Sequence, residues 1–433
     1  MRPLVGILGA LLVMGCASGP RGRVVHAVDE GDLDGALAAY DELAQREGTD
    51  ADLLARVAAL VLDRELHGDE DGSRDAALTQ LALAGTAGAP MLRSLAEEPG
   101  VGPLRLGALR VLARRGDPEA RLALRALADH EEPTILAAAI LGMDPALDRA
   151  LLLEHTEAAD ADVRTAAVRQ LAPLAEEDEV RERLATIARV DGEATVRAAA
   201  VGSLRGAGRA AADVLRERLG DPEASVRFAA VGALAAADPA VASAALGALL
   251  EIAVSPAGIE AARLLASAED PDTARRARTF LRQALASEEP ALRTQAGVAL
   301  TGLPVSTEAP MDAVREALAG ETDPEVRLAL ARALDRRDDP LARSTLEALL
   351  DADGMVRVQA AALLGEADHA RARAVLAEVL DDASQPSSSR RTAARSLARD
   401  AMRPDAVRGA LRDADPFVRI YAAGGILAAA AAS

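Results

Sequence analysis

The sequence predicts an all-α fold: an α-α superhelix of about twelve two-helix repeats. Three observations lead there. Half of the 433 residues are hydrophobic, yet only five are aromatic, Tyr40, Phe228, Phe280, Phe417 and Tyr421. Each ring buries a large area, so a core this poor in rings must be built from Ala, Leu and Val. That suits closely packed helices better than a sandwich or barrel. Second, an anchor Arg recurs at the head of a small-residue segment: Arg74, Arg105, Arg164, Arg197, Arg227, Arg293, Arg327, Arg357, Arg390 and Arg419. Leu136 and Glu260 fill the two gaps, and the twelve positions lie 28 to 34 residues apart. A period near 31 sustained along a chain marks a repeat array. Third, the pattern inside each unit is helical. An Ala stands three residues after most anchors, as at Ala77, Ala167, Ala230 and Ala422, and a Leu or Ile stands seven after, as at Leu81, Leu171, Leu234 and Ile426. Offsets of −1, +3 and +7 share one helix face.

Residues 1–15 read as an export signal. Met1-Arg2-Pro3 is a short charged start, and Leu4 to Met14 is an apolar run too short to span a bilayer. It ends in Val13-Met14-Gly15-Cys16, which resembles a bacterial lipobox, with Met14 departing from the usual small or β-branched residue. The resemblance implies cleavage before Cys16, a covalent lipid on its thiol and a chain anchored without a transmembrane helix. Ala17 after the Cys implies the outer membrane, facing the periplasm. An ordinary secretory signal with a chance Cys is the competing reading. Residues 16–23 then form a lipidated, Gly- and Pro-containing tether.

Residues 24–66 contain Gly31-Asp32-Leu33-Asp34-Gly35-Ala36-Leu37 and Tyr40. These are similar to the second helix of a tetratricopeptide unit, with Ala36 and Tyr40 at its small and aromatic positions. The segment is expected to be a tetratricopeptide-like helical hairpin capping the array.

Residues 67–433 hold the repeats. Asp-Pro pairs recur at 117–118, 144–145, 221–222, 238–239, 270–271, 323–324, 339–340 and 415–416. Asp caps a helix by accepting from its free N–H groups, and Pro fits the next position, where no N–H is needed. Each pair is therefore expected to start a helix. The Asp residues ahead of the anchors, such as Asp160, Asp191, Asp221, Asp323 and Asp415, can pair with an Arg of the same or the next unit and build a ladder of charges. Segments such as GDPEASVRFAAVGAL (220–234) and ETDPEVRLALARAL (321–334) are similar to the short HEAT repeats also found in phycobilisome lyases. That family resemblance implies a solenoid and, in most members, a binding scaffold.

Composition narrows the chemistry. Net charge is −19, with 68 acidic residues against 49 basic ones, all of them Arg, which disfavours nucleic acid. One Cys excludes an internal disulfide and a multi-Cys metal site. The five His residues, His26, His67, His130, His155 and His369, form no metal-binding pair at helical spacing. His130-Glu131 is similar to the pairs of the HEAT-repeat enzyme deoxyhypusine hydroxylase, which needs several of them. Asp69 to Asp75 reads as a solvated turn, because Arg74 and Gln80 stand where a calcium loop needs Gly and Glu. Neither a catalytic residue nor a metal is expected, and the lipid on Cys16 is the one attached group.

Two surfaces qualify for binding. Arg275, Arg278 and Arg282 lie on one helix face around Phe280, and Arg390, Arg391, Arg395, Arg399 and Arg403 form a second basic stretch. Either could take an acidic peptide, a phospholipid headgroup or a polyanionic glycan, or could be a solvated face neutralised by acidic neighbours. Phe417, Tyr421 and Ile426, on an Ala-rich last helix, are candidates for self-association. The sequence reading is thus a non-catalytic, membrane-anchored scaffold binding a protein or peptide of the cell envelope. The alternatives are a HEAT-platform enzyme or enzyme subunit, lyase-like or metal-dependent, and a self-assembling structural lipoprotein.

Overall fold

The structure, a computed structural model, describes residues 19–433 except 69, 71, 239–241, 244–246, 248–249, 251–252, 269, 308, 366–368, 400–403 and 433. The signal segment, Cys16 and Arg403 fall outside the described residues. Among these, every regular element is helical. The chain opens with α1 (Pro20–Glu30), α2 (Leu33–Glu47), α3 (Ala51–Leu66), α4 (Ser73–Leu83), α5 (Ala89–Ala96), α6 (Pro103–Arg114) and α7 (Pro118–Arg125). Next come α8 (Pro133–Ile140), α9 (Arg149–His155), α10 (Ala161–Leu171), α11 (Asp178–Val190), α12 (Ala194–Ser203), α13 (Ala212–Arg218) and α14 (Ala224–Ala237). They are followed by α15 (Pro256–Leu265), α16 (Pro271–Leu285), α17 (Pro290–Thr301), α18 (Met311–Gly320), α19 (Pro324–Asp335) and α20 (Pro340–Leu349). The last are α21 (Gly354–Gly365), α22 (Ala370–Asp381), α23 (Ser387–Leu397) and α24 (Pro416–Ala432). The pairs stack as HEAT-like repeats of an α-α superhelix, first helix against first helix, as α10 on α12 and α12 on α14. None of the described helices is long and apolar enough to cross a membrane.

The anchor-spaced positions form the core. Ala77, Ala108, Ala167, Ala200, Ala230, Ala296, Ala360, Ala393 and Ala422 are all fully buried. Seven residues after the anchors, Leu81, Leu171, Leu204, Leu300 and Leu334 are fully buried as well. The methyl lets the next helix come close, and the Leu fills the space between layers. Replacing one such Leu by Ala would leave a cavity costing about 2–5 kcal/mol.

The Asp-Pro rule holds where the Asp side chain reaches the next free N–H groups. Asp270 accepts from Thr273 N–H at 2.9 Å, Asp323 from Glu325 and Val326, and Asp339 from Leu341. It fails at Asp144-Pro145. There Asp144 accepts from Ala146 and Leu147 in a turn, while its own N–H donates to Asp148 Oδ2 at 3.1 Å, and α9 starts only at Arg149.

The chain forms two compact units, one comprising residues up to Ala120 together with Asp353–Ser433, the other Arg121–Ala352. In the first unit the N-terminal segment is not one hairpin but three helices. Gly31, at φ 73°, ends α1, and Asp32 caps α2. Tyr40 is buried, and its hydroxyl donates to Asp50 C=O at 2.8 Å and accepts from Asp50 N–H at 3.0 Å, fixing the turn into α3. The third helix then packs along α24 and beside α4. The expected boundary after residue 66 therefore cuts through a repeat. α24, from the C-terminal end, is its first helix, and α3, from the N-terminal end, is its second.

Candidate binding surface

The anchor arginines are structural. Arg197 donates to both carboxylate oxygens of Asp221, at 3.1 and 3.0 Å, and to the carbonyls of Asp191 and Gly192 at 2.9 and 3.1 Å. Arg164 does the same with Asp191, Ala158 and Ala159, and Arg293 with Glu321, Ser287 and Glu288. Arg390 pairs with Asp413, and Arg357 with Glu378. The sequence left two partners open, the same unit or the next. In the rungs of Arg164, Arg197, Arg293 and Arg390 the carboxylate stands in the turn leading into the next unit, and the Arg takes only carbonyls from the turn of its own; Glu378 instead lies on α22, in the same unit as Arg357. The same carboxylates also accept from the N–H groups that follow them, Asp191 from Glu193 and Asp221 from Glu223. Among the described residues Arg227 departs from the pattern, holding the carbonyls of Asp221 and Pro222.

These rungs set the local electrostatics. Hydrogen bonding from Arg197 holds the Asp221 carboxyl below the usual carboxylate range, against the opposing effect of burial. At Asp191 burial pushes up most strongly, but the bonds from Arg164 and from the Glu193 amide together outweigh it. The guanidinium groups of Arg164, Arg197, Arg293 and Arg390 are raised in turn by their carboxylate hydrogen bonds.

The basic helix predicted to bind is α16, and the structure divides its residues. Phe280 is 3% exposed and belongs to the core, so it cannot centre a surface site. Residues two apart project about 200° apart on a helix, which puts Phe280 opposite Arg278 and Arg282. Arg275 pairs with Asp272, and Arg282 with Asp312 at 2.5 Å. In the second basic stretch Arg390 is buried in its rung with Asp413, and Arg391 pairs with Asp415 at 2.6 Å. Arg395 is exposed on α23, and Arg399 is exposed in the turn that follows it. Of the three residues suggested for self-association, Ile426 is 1% exposed inside the first unit and cannot meet another copy, while Phe417 and Tyr421 are half-buried. The last helix is not a bare apolar end, because α3, α4 and α23 pack against it.

The His residues serve locally: His369 Nδ1 caps α22 by accepting from Ala372 N–H, and His130 Nδ1 accepts from Glu132 N–H. Among the described residues no group of three or more His, Cys, Asp or Glu side chains is arranged to hold a metal ion.

Sequence reasoning missed the row five residues after the anchors. It reads Thr79, Arg110, Leu141, Arg169, Gly202, Gly232, Leu265, Val298, Arg332, Ala362, Arg395 and Gly424. In a chain with 68 acidic residues it contains no carboxylate. In the second unit Arg169, Gly202, Val298 and Arg332 are exposed on the first helices α10, α12, α17 and α19, while Gly232 is half-buried and Leu265 is buried; Arg395 is exposed in the first unit. The repeat register was the signal that could have found it.

No protein-family model and no curated protein matches the chain. Several solved structures are similar to it. One is a chain in the structure of Kap95p binding to RanGDP, at 14% identity, 87% of this chain, 60% of that chain and a TM-score of 0.37. This chain thus spans less than two thirds of that one. Another is the complex of CpcE and CpcF of phycocyanin lyase from Nostoc, at 17% identity, 71% of this chain, 94% of that chain and a TM-score of 0.25. A third is human deoxyhypusine hydroxylase, at 19% identity, 61% of this chain, 96% of that chain and a TM-score of 0.23.

Proposed function

We propose that this protein is a non-catalytic, lipid-anchored scaffold of the bacterial cell envelope that binds another protein along its first helices. The row without carboxylates carries this reading. An acidic chain has kept one repeated position free of acid, and where that position is exposed it carries Thr79, Arg169, Gly202, Val298, Arg332 and Arg395. Short side chains let a partner backbone approach closely, and scattered arginines supply charge that the rest of the surface lacks. The rungs hold successive helices at fixed spacing, so such a row would be presented in a constant geometry. Anchoring rests on the Val13-Met14-Gly15-Cys16 motif. Cys16 stands four residues before α1, so a lipid there would hold Pro20 within about 14 Å of the headgroups.

The test has two arms. Cys16→Ser should move the protein from the membrane to the soluble envelope fraction and abolish acyl labelling; retention on the membrane overturns the anchor. A photocrosslinker at Gln295, exposed on α17, should join the protein to one reproducible envelope partner. Absence of any adduct there and at Arg332 overturns the scaffold.

A further inference from the structure

The three first helices α23, α24 and α4 lie side by side in the first unit, and their register can be read from close approaches. The Arg391 guanidinium sits 4.3 Å from the centre of the Phe417 ring. A Cβ added to Gly425 would lie 2.6 Å from Ala398 O. Arg395 is therefore level with Tyr421. On the other side, a Cβ on Gly72 would lie 3.7 Å from Phe417, and one on Gly424 would lie 2.6 Å from Gln80 Cβ. Leu83, 68% exposed, falls one turn beyond that second contact. Beyond α4, α6 packs with Gly107 against Leu78, and carries Arg110 and Arg114 at the fifth and ninth places after its anchor.

The surface therefore runs from Arg395, over Tyr421 and Leu83, to Arg114. Its middle is apolar and partly aromatic, and both edges are cationic. Neither Arg395 nor Arg114 makes an ion pair among the described residues. The Nε atom of Arg110 is buried without an acceptor, and burial together with Arg114 lowers the affinity of its guanidinium for the proton. Carboxylates act on the arginines of this surface as well: Asp415, buried, and Glu70, ahead of α4, on Arg391, and Asp75, in the first turn of α4, on Arg110. Tyr and Arg at the centre and rim of a patch are the composition of binding hot spots.

We propose that this face docks a polypeptide segment acidic at both ends and apolar in the middle, laid across α23, α24, α4 and α6. Charge complementarity chooses the partner, because cationic edges around an apolar floor match that order of side chains and no other. Three helix-to-helix steps of 8–10 Å separate the two edges by about 27 Å. An extended segment spans that with about 8 residues at ~3.3 Å each. The proposal rests on the reading of the chain as a protein-binding scaffold and names one site on it.

The experiment uses the full mature chain carrying Cys16→Ser and three fluorescent synthetic peptides about as long as that span. One has Glu pairs at both ends and a Leu-Val centre, one has Lys pairs at the ends, and one has the Glu residues gathered in the centre. Binding read by anisotropy should favour the first peptide and weaken with salt. Arg395→Glu and Arg114→Glu, both surface changes, should each lower its affinity ~10-fold, and Tyr421→Ala should do so with helicity retained by circular dichroism. Equal binding of the Lys-ended or Glu-centred peptide overturns the proposal, as does no binding of the first. A photocrosslinker at Thr79 in cells separates the two readings. Adducts at Gln295 but none at Thr79 leave the scaffold standing and remove this site. Adducts at none of Gln295, Arg332 and Thr79 remove both, and an adduct at Thr79 on an acid-ended segment beside one at Gln295 or Arg332 supports both.

Discussion

Arg419 and Glu65, 354 residues apart, form the same bidentate rung that joins neighbouring repeats elsewhere, at 2.8 and 2.9 Å. Arg419 also donates to the carbonyls of Asp413 and Ala414 in its own turn, as every complete rung does. Glu65, at the end of α3, thus stands where Asp221 stands for Arg197. The N-terminal helices finish the last repeat rather than merely capping the first.

Glu65→Gln is expected to cost about 3 kcal/mol, because it leaves a mostly buried guanidinium without its carboxylate. Arg419→Met should cost more, since it also strips two carbonyls of their donor. Urea unfolding followed by hydrogen exchange checks this. Protection should fall together in α3 and α24, although they come from opposite ends of the sequence. Loss confined to one of them would show that the two helices are not one repeat.

The rungs make stability depend on pH with a definite sign. Asp191, Asp221, Glu321 and Asp413 all hold their protons less tightly folded than unfolded. Between the folded and the ordinary values the unfolded chain binds more protons, so stability rises with pH there. The contribution is complete above the ordinary carboxylate range and is lost as pH falls through the lower folded-state values. The raised arginines titrate only in strong alkali and add no slope near neutrality. Melting temperatures taken downward from about pH 7 should hold level and then drop below about pH 4. Asp221→Asn should destabilise at neutral pH and flatten part of that drop.

On α16 the opposite is expected. Arg275→Ala removes a well-exposed pair with Asp272, and such pairs contribute ~0–1 kcal/mol. Chemical denaturation should place the variant within about 0.5 kcal/mol of the parent. Partner capture through Gln295 should be unchanged by reversing Arg275 and Arg282 together.

How much of this was legible follows from the range of each interaction. The fully buried Ala and Leu positions were written in the local 3.6-residue pattern, and so were the caps at Asp270 and Asp323. The partner of each rung was half legible: the Arg and the acid were visible, but the choice between units depends on how one helix pair stacks on the next, which no local spacing states. Glu65 could not be found, because no period or spacing links it to Arg419. Phe280 misled for a related reason. An Arg-rich helix with one ring looks like a site until the ring's place on the opposite face is counted. The face from Arg395 to Arg114 was illegible because two of its helices come from one end of the chain and two from the other.

Glycine separates the core side of these helices from the open side. Ala is the better helix former by about 1 kcal/mol, so Gly→Ala should stabilise wherever a methyl has room. Gly232, inside α14, has nothing within 4 Å of an added Cβ. Gly232→Ala is expected to raise stability by ~0.5–1 kcal/mol. At Gly425 the added Cβ would lie 2.6 Å from the Ala398 carbonyl oxygen and nearer still to its methyl, so α24 must move away from α23. Overpacking of that kind costs about 1–3 kcal/mol, more than the propensity gain. Gly425→Ala should therefore destabilise, and denaturant midpoints of the two variants should move in opposite directions. If Gly232 lies under a bound partner as the scaffold reading requires, Gly232→Leu should keep the fold yet weaken capture through Gln295, because bulk would then replace the close approach that the short row allows.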